Sequence, residues 1–218
     1  MDLRVGRDDS DGTPWPVLAD LAITMVFVLI LHVLAIVQPS QEDEIAKALV
    51  RRQLEIKDSL LGLSNQQGRI QVDSLAPDRQ RLTFSSEVLF ETCRASLKPE
   101  GAELLRAVGR VIGRQRGYFE SVDVEGHTDR RPIRSWGHDC TFSSNWELSS
   151  ARATAVVNVF SAEGLIESRL LSAIGRAEYR PVDSLSLDPN RRIEMILQYD
   201  RSSIPDRSRA PIPGARQF

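Results

Sequence analysis

The sequence lacks an excess of charge of either sign, because its 28 basic and 30 acidic residues leave a net charge of −2. A chain without a strong positive field has little to attract a phosphate backbone, so nucleic acid is not expected as a partner. The apolar fraction of 41% and the charged fraction of 27% exclude a disordered or collagen-like chain. The length fits one ordinary domain with additional segments.

Cysteine and the motifs of catalysis are also scarce. The two cysteines, Cys93 and Cys140, are 47 residues apart, and the nearby His138 does not complete a zinc-ligand spacing. His127 lies near Asp129, but no nucleophile motif or glycine-rich phosphate loop accompanies this pair. We therefore predict a non-enzymatic protein with no metal and no cofactor.

One long apolar run differs from the rest of the chain: residues 17–37 are almost entirely apolar and contain no basic residue. A helix over this run extends roughly 31 Å at about 1.5 Å per residue, which matches the hydrocarbon core of a bilayer. The run is longer than the apolar core of a signal peptide, and residues 38–41 make a poor cleavage site. We predict an uncleaved transmembrane helix. The basic residues on its two sides leave its orientation open.

Asp20 lies in the first part of this run, where an ionised carboxylate costs a few kcal/mol. An acid inside a membrane helix points to function, and Thr24 shares its helix face one turn away. The alternative is that Asp20 reaches interfacial water at the start of the helix and is stabilised by the helix dipole. For His32, a packed or interfacial histidine is favoured over a proton relay.

The residues after the run predict an amphipathic linker helix over 42–63, with apolar residues at helical spacing and charges of both signs between them. Two roles remain open for this helix: a plug that holds a channel closed, or a dimeric coiled stalk. At the other end of the chain, residues 201–218 have four Arg, three Pro and no apolar period, so we expect a disordered tail.

Between these segments the pattern alternates between strand and helix, which predicts an α+β domain of order β-α-β-α-β-β with helices on one face of a mixed sheet. A short strand over 69–72 and a turn at 76–78 precede it. The predicted elements are strands over 82–90, 119–125, 170–174 and 192–199 and helices over 100–116 and 146–163.

Two polar groups are expected at the same end of this sheet. Asp129 follows the 119–125 strand, and Arg152 lies in the first turns of the helix over 146–163. Such a pair suits a zwitterion, because a carboxylate accepts from an ammonium group and a guanidinium grips a carboxylate through two parallel hydrogen bonds. An ordinary Asp–Arg salt bridge beside a capped helix remains the alternative.

Three motifs in this region, VEGHTD (124–129), NWELSSARA (145–153) and NRRIEM (190–195), resemble the OmpA-like peptidoglycan-binding domain. The resemblance covers residues 82–199. It implies that Asp129 and Arg152 hold the diaminopimelate of the peptidoglycan stem peptide. It also implies supporting roles for three further positions, Asn145, Leu148 and Arg191.

The order of segments resembles the MotB-type stator subunits of ion-driven motors. Residues 17–21 are similar to that family's A-D-F segment, and the insertion over 132–144 is typical of its OmpA-like domain. The resemblance implies that Asp20, with Thr24, binds and releases a permeating H⁺ or Na⁺. It also implies an inner-membrane protein that forms a homodimer and pairs with a multi-helix MotA-like or ZorA-like subunit.

The same resemblance orients the chain. It implies a cytoplasmic tail over 1–16, a transmembrane helix over 17–37, a linker over 38–68, a periplasmic peptidoglycan-binding domain over 69–200 and a tail over 201–218.

The sequence departs from flagellar MotB in lacking a Lys-rich N-terminus and the W-K-V-A-Y lead-in, in place of which it has residues 15–19, WPVLA. The Trp-Pro dipeptide and the short linker are more similar to the ZorB subunits of Zorya anti-phage defence systems. We therefore expect a ZorB-like stator subunit. The alternatives are a flagellar MotB-like subunit and a passive peptidoglycan anchor without ion conduction.

The periplasmic placement bears on the two cysteines, because an even pair in an oxidising compartment favours a disulfide. Cys93 and Cys140 both fall in predicted loops, and a bridge between them would hold the 132–144 insertion beside Asp129. Two free buried thiols are the alternative, since loop positions do not show that the Cα atoms come within about 7 Å.

Overall fold

The computed structural model describes residues 15–37, 41–62, 70–133 and 140–204. The chain divides into two compact units, residues 1–41 and 42–218. The predicted N-terminal tail lies outside the described residues except at its last two positions. Leu63, residues 134–139 of the 132–144 insertion, which include His138, and residues 205–218 also lie outside them.

The first unit contains helix α1 (Trp15–Val37). It contains no glycine, and its one proline, Pro16, lies in the first turn, where the missing N–H has no helical partner to lose. Within the described residues it is the one helix long and apolar enough to cross a membrane, with a mean hydropathy of 2.4 over Leu18–Ile36. The Thr24 hydroxyl donates to the backbone carbonyl of Asp20 at 2.8 Å, so its hydrogen bond goes to the helix backbone and not to the Asp20 carboxylate.

The second unit is built on a five-stranded mixed sheet of order β1-β2-β5-β3-β4. All neighbouring pairs are antiparallel except β3 and β4, which are parallel. The predicted α+β class with a mixed sheet is confirmed. The strands are β1 (Ile70–Ala76), β2 (Arg79–Ser85), β3 (Phe119–His127), β4 (Leu171–Ala177) and β5 (Arg192–Tyr199). The helices are α2 (Gln41–Leu61), α3 (Ser86–Leu89), α4 (Pro99–Gly113) and α5 (Asn145–Ala162).

One hydrophobic core joins the sheet to its helices. Alternate residues of the strands point into it, as the two-residue period of a strand requires. From the central strands these are Leu82, Phe84, Val122, Val124, Met195 and Leu197. From α4 and α5 they are Leu104, Leu105, Val108, Ile112, Val156 and Phe160. Pro99 begins α4 at a first-turn position, and the Ser144 hydroxyl caps α5 by accepting from the Glu147 amide at 3.2 Å.

Several element boundaries differ from the sequence prediction. The strand expected over 82–90 ends at Ser85, because the Ser85 hydroxyl accepts from the Glu87 amide and begins the short helix α3. The strand expected over 69–72 runs from Ile70 to Ala76 and pairs with β2 through the predicted turn. The strand expected over 119–125 continues to His127, which carries the sheet up to Thr128 and Asp129.

Helix α2 packs on the same core as the sheet. Its apolar stripe, Leu49, Ile56 and Leu60, is buried in that core. The buried Gln53 amide donates to the carbonyls of Ala76 and Pro77 at 2.8 and 2.9 Å. An amphipathic helix was predicted here, and the structure shows that its apolar face is covered by this chain's own sheet.

Candidate functional site

A cavity of about 400 Å³ lies at the end of the sheet where β3 and β5 meet the start of α5. The five residues to which the resemblance gives a peptidoglycan-binding role all line it: Asp129, Asn145, Leu148, Arg152 and Arg191. The structure therefore brings together positions that are up to 62 residues apart in sequence. Its other walls include Glu87, Phe90, Cys93, Lys98 and Arg131.

The loop after β3 is held by close packing against α5. A Cβ at Gly126 would collide with the Ser149 carbonyl, so only glycine permits this approach. The Asn145 side-chain amide donates to the backbone carbonyls of Asp129 and Arg131 at 3.4 and 3.1 Å. Asn145 thus supports the loop that carries Asp129.

Asp129 is 2% exposed, and its carboxylate is surrounded by arginine donors. Arg131 donates its backbone amide to Oδ1 at 2.9 Å and its Nη2 to Oδ2 at 2.7 Å. Arg191 donates Nη1 to the same Oδ2 at 3.0 Å. Burial raises the pKa of the Asp129 carboxyl, but the hydrogen bonds from Arg131 and Arg191 outweigh burial and leave that pKa below its usual value. The carboxylate is ionised at neutral pH.

Arg152 is 5% exposed and donates to backbone carbonyls rather than to Asp129. Its Nε lies 2.9 Å from the Arg94 oxygen and its Nη2 lies 3.3 Å from the Glu91 oxygen. The guanidinium carbon also sits 5.2 Å from the centroid of the Phe90 ring. Burial, with the nearby Arg191 charge, lowers the pKa of Arg152 to about 10, so the side chain remains a cation at neutral pH.

Arg191 links the two sides of the cavity. It forms ion pairs with Asp129, with Glu87 of α3 and with Asp188, the last at 2.7 Å. Because three carboxylates hold one guanidinium, its position is fixed before any ligand arrives.

Cys93 and Cys140 form a disulfide, with their Cα atoms 5.3 Å apart. Cys93 lies in the cavity wall within the 91–94 loop, whose carbonyls accept from Arg152. The two cysteines also pack with Ile133, Leu148 and Phe142 in a small apolar cluster. The disulfide therefore ties the loop that orients Arg152 to the segment that precedes α5.

Sequence reasoning missed three of these contacts. Arg131 lies only two residues after Asp129 and could have been noticed as a cation beside a candidate carboxylate. Phe90 and the carbonyls of the 91–94 loop reach Arg152 only through the folded chain, and a backbone carbonyl has no signature in sequence.

Comparison with known proteins identifies the domain that carries this cavity. The sequence profile of the OmpA family matches residues 89–194. Residues 89–194 form an OmpA-family domain. The chain is also 28% identical over 122 residues to motility protein B of Bacillus subtilis, an alignment that covers 53% of this chain and 44% of that protein. Motility protein B of Escherichia coli K12 is 31% identical over 120 residues, covering 54% of this chain and 37% of that protein.

Other relatives of the OmpA-family domain extend the comparison. YtxE of Bacillus subtilis is 28% identical over 168 residues, covering 75% of this chain and 64% of that protein. The chain thus spans less than two thirds of each of these curated relatives. The OmpA-family match and the similarity to motility protein B agree with the prediction that the chain is not an enzyme.

Solved structures show the same fold for the OmpA-family domain. The cell wall anchor of the type VI secretion system from Pseudomonas aeruginosa is 29% identical, with a TM-score of 0.55 and coverage of 65% of this chain and 95% of that chain. The periplasmic domain of Helicobacter pylori MotB has a TM-score of 0.52 at 21% identity and covers 60% of this chain and 88% of that chain.

A second cluster of polar side chains in the OmpA-family domain lies on the face of the sheet away from the hydrophobic core. Glu125, His127 and Glu194 present ligand atoms within 4.8 Å of one another, the one such metal-ligand group among the described residues. Arg176 already holds both oxygens of Glu125, and Arg192 holds one oxygen of Glu194 at 2.7 Å. The His127 ring, whose Nε2 lies 3.6 Å from Oε2 of Glu125, and the hydrogen bonds from Arg176 lower the pKa of Glu125 to about 2. A divalent cation would compete with two bound guanidinium groups, so we assign the cluster to cross-strand stabilisation.

Proposed function

We propose that this protein is the peptidoglycan-anchored subunit of an ion-driven motor in the bacterial inner membrane. The observation that supports this most is the cavity on the OmpA-family domain that Asp129 and Arg152 both line, in a chain that also carries a membrane-length helix. Similarity to motility protein B of two bacteria supports the motor assignment.

The wall-binding half of the proposal rests on charge complementarity. The side-chain end of diaminopimelate carries an ammonium and a carboxylate on one carbon. In this proposal Arg152 binds the carboxylate through its guanidinium, and the buried Asp129 carboxylate receives the ammonium. Leu148 supplies an apolar wall for the methylene chain, while Asn145 and Arg191 hold the Asp129 loop.

A sacculus pull-down tests this half with the full chain solubilised in detergent. Arg152→Ala removes the guanidinium and is expected to lower sacculus binding at least tenfold. The matched control is Arg106→Ala, because Arg106 is a partly exposed arginine of α4 that pairs with Glu163, away from the cavity. Arg152→Lys keeps the positive charge but loses the paired guanidinium donors. Weaker binding by this variant, if it folds, would therefore reflect lost ligand recognition and not a lost fold. Wild-type binding by folded Arg152 variants would refute wall recognition at this site.

The membrane half of the proposal assigns ion binding to Asp20. In the proposed topology residues 1–16 lie in the cytoplasm and the OmpA-family domain lies in the periplasm. A single span is too few to enclose a pathway, so a second copy of this chain and a multi-helix membrane subunit are the proposed partners. Uptake of H⁺ or Na⁺ neutralises Asp20 and removes a charge-dependent contact with that subunit, which drives its movement around the anchored dimer.

Asp20→Asn tests this half, because asparagine is nearly isosteric but cannot ionise. We expect ion flux through the assembled complex to be lost, while membrane insertion and sacculus binding persist. Thr24→Val is a useful second variant, since it removes the hydroxyl that donates to the Asp20 backbone carbonyl without changing the charge of the helix. Flux that survives Asp20→Asn would refute the conduction pathway.

The biological setting we propose is anti-phage defence, as a ZorB-like subunit, on the Trp15-Pro16 start of the span and the absence of the flagellar W-K-V-A-Y lead-in. The test is a phage plating assay with the chain and its neighbouring genes expressed together. Protection that disappears with Asp20→Asn supports defence. Restored swimming in a stator-deficient strain, without protection, supports the flagellar alternative.

A second candidate function is that of a passive wall anchor. Similarity to the cell wall anchor of the type VI secretion system favours it, since the OmpA-family domain alone accounts for that match. A passive anchor requires the cavity but not Asp20. It therefore predicts that Arg152→Ala abolishes the phenotype and that Asp20→Asn leaves it unchanged.

A further inference from the structure

Two exposed aromatic rings stack on each other beside the cavity. The centroids of Trp146 and Tyr179 are 5.4 Å apart, and the ring planes meet at 27°. Trp146 is 51% exposed and Tyr179 is 63% exposed. Stacking covers one side of each ring, so the remaining exposed surface is flat, apolar and open to solvent. An exposed apolar patch of this kind marks a binding surface more often than a scattered single side chain does.

The backbone of this pair lies next to the proposed binding site. Trp146 directly follows Asn145, a cavity residue, so their Cα atoms are about 3.8 Å apart. Tyr179 lies two residues after Ala177, the last residue of β4. The Ala177 amide donates to the Ser149 hydroxyl at 3.1 Å, and its carbonyl accepts from the Thr128 amide at 3.0 Å. These bonds tie the Tyr179 segment to both α5 and the Asp129 loop.

We propose that Trp146 and Tyr179 form a sugar-binding platform for the glycan strand of peptidoglycan. This inference rests on the proposed function, in which the stem peptide occupies the neighbouring cavity. Diaminopimelate is the third residue of that stem, so two residues and a lactyl group join it to the amino sugar. This short tether keeps the amino sugar within reach of the surface around the cavity when diaminopimelate is bound.

The chemistry of an amino sugar fits this surface. One face of a pyranose ring presents axial C–H groups and is apolar, and its edges carry hydroxyl and acetamide groups. Tryptophan and tyrosine offer a large apolar face together with a polar N–H or O–H at the ring edge. The exposed faces of Trp146 and Tyr179 thus match a sugar face, while the indole N–H and the phenol hydroxyl reach its polar edge.

The test compares two soluble probes with the full chain in detergent: the free stem tripeptide, and the same tripeptide attached to its disaccharide. Wild type should bind the disaccharide form about 5- to 10-fold more tightly, the size of one aromatic stacking contact. Trp146→Ala and Tyr179→Ala should each remove this difference and leave tripeptide affinity unchanged. Trp146→Phe should retain part of it. Leu75→Ala, an exposed apolar truncation on β1, is the matched control and should affect neither probe.

The outcomes separate this inference from the proposed function. If wild type binds the two probes equally, or if the affinity ratio survives Trp146→Ala, the sugar platform is refuted while peptide recognition stands. If neither probe binds, the proposed wall-binding function fails and the platform fails with it. A ratio that disappears in both alanine variants, with tripeptide binding intact, establishes the platform.

Discussion

Arg131 holds the carboxylate that is proposed to receive the ligand ammonium: its Nη2 lies 2.7 Å and its Nε 3.1 Å from Oδ2 of Asp129. The Arg131 side chain is 40% exposed, whereas that of Arg191, the other guanidinium on this carboxylate, is 14% exposed. Arg131 is therefore the partner that a ligand ammonium can displace. Arg131 thus occupies the position on the Asp129 carboxylate that the proposal gives to the ligand ammonium.

The first prediction follows from that competition. Arg131→Ala should increase the affinity for diaminopimelate-containing tripeptide about tenfold, because the ammonium no longer displaces a charge-assisted pair. Titration of the tripeptide by calorimetry measures this directly. Arg130→Ala is the control, since Arg130 is exposed and donates to the Ser184 carbonyl instead. A loss of affinity in Arg131→Ala would mean that Arg131 contacts the ligand itself.

The second prediction concerns the Cys93–Cys140 disulfide. The bridge closes a loop across a separation of 47 residues and should stabilise the fold by about 4 kcal/mol on the chain-entropy model. A double Cys93→Ala, Cys140→Ala variant should melt at a lower temperature in calorimetry. It should also bind sacculi more weakly, because the 91–94 loop that orients Arg152 is released. Melting that changes without any change in binding would show that Phe90 and the cavity walls position Arg152 without the bridge.

The third prediction tests the close approach of β3 and α5. Gly126→Ala places a Cβ against the Ser149 carbonyl and should destabilise the fold by about 1–3 kcal/mol or more. Gly117→Ala is the matched substitution, because nothing lies within 4 Å of a Cβ there, and it should change stability by less than about 0.5 kcal/mol. Urea denaturation measures the unfolding free energy of both variants, and equal values would contradict the packing described for Gly126.

The fourth prediction concerns the attachment of α2 to the sheet. Gln53→Ala leaves the carbonyls of Ala76 and Pro77 and the Ser74 hydroxyl without their amide partner. Loss of the three hydrogen bonds made by this buried side chain should cost about 1–3 kcal/mol of unfolding free energy. Leu54→Ala, on the exposed side of α2, should cost far less. Faster hydrogen exchange across α2 in the Gln53 variant alone would show that this contact holds the helix to the domain.

The α2 helix also shows where sequence reasoning stops. Its apolar stripe correctly predicted an amphipathic helix, because the spacing of Leu49, Ile56 and Leu60 depends only on the helical period. Which surface covers that stripe depends on partners distant in sequence. A plug, a coiled stalk and a helix docked on its own sheet all require the same stripe, and only the tertiary contacts of Gln53 and Leu49 distinguish the last.

The candidate site divides in the same way. Asp129 and Arg152 were predictable, because one follows a strand and the other lies in the first turns of the next helix, and local periodicity places both at one sheet end. Their partners were not. The Arg94 and Glu91 carbonyls reach Arg152 across separations of 58 and 61 residues, and no residue type encodes a backbone acceptor.

By itself the sequence determined the features that depend on local pattern: the apolar run of α1, the α+β order, the strand over 192–199 and the motifs that carry Asp129 and Arg152. The tertiary structure decided the features that depend on approach between distant segments: the pairing of Arg191 with Asp129 inside a shared cavity, the carbonyl acceptors of Arg152 and the stacking of Trp146 on Tyr179. The physical reason is that periodicity and turn chemistry act within a few residues. The direction and neighbours of a buried polar group are set by which segments pack together.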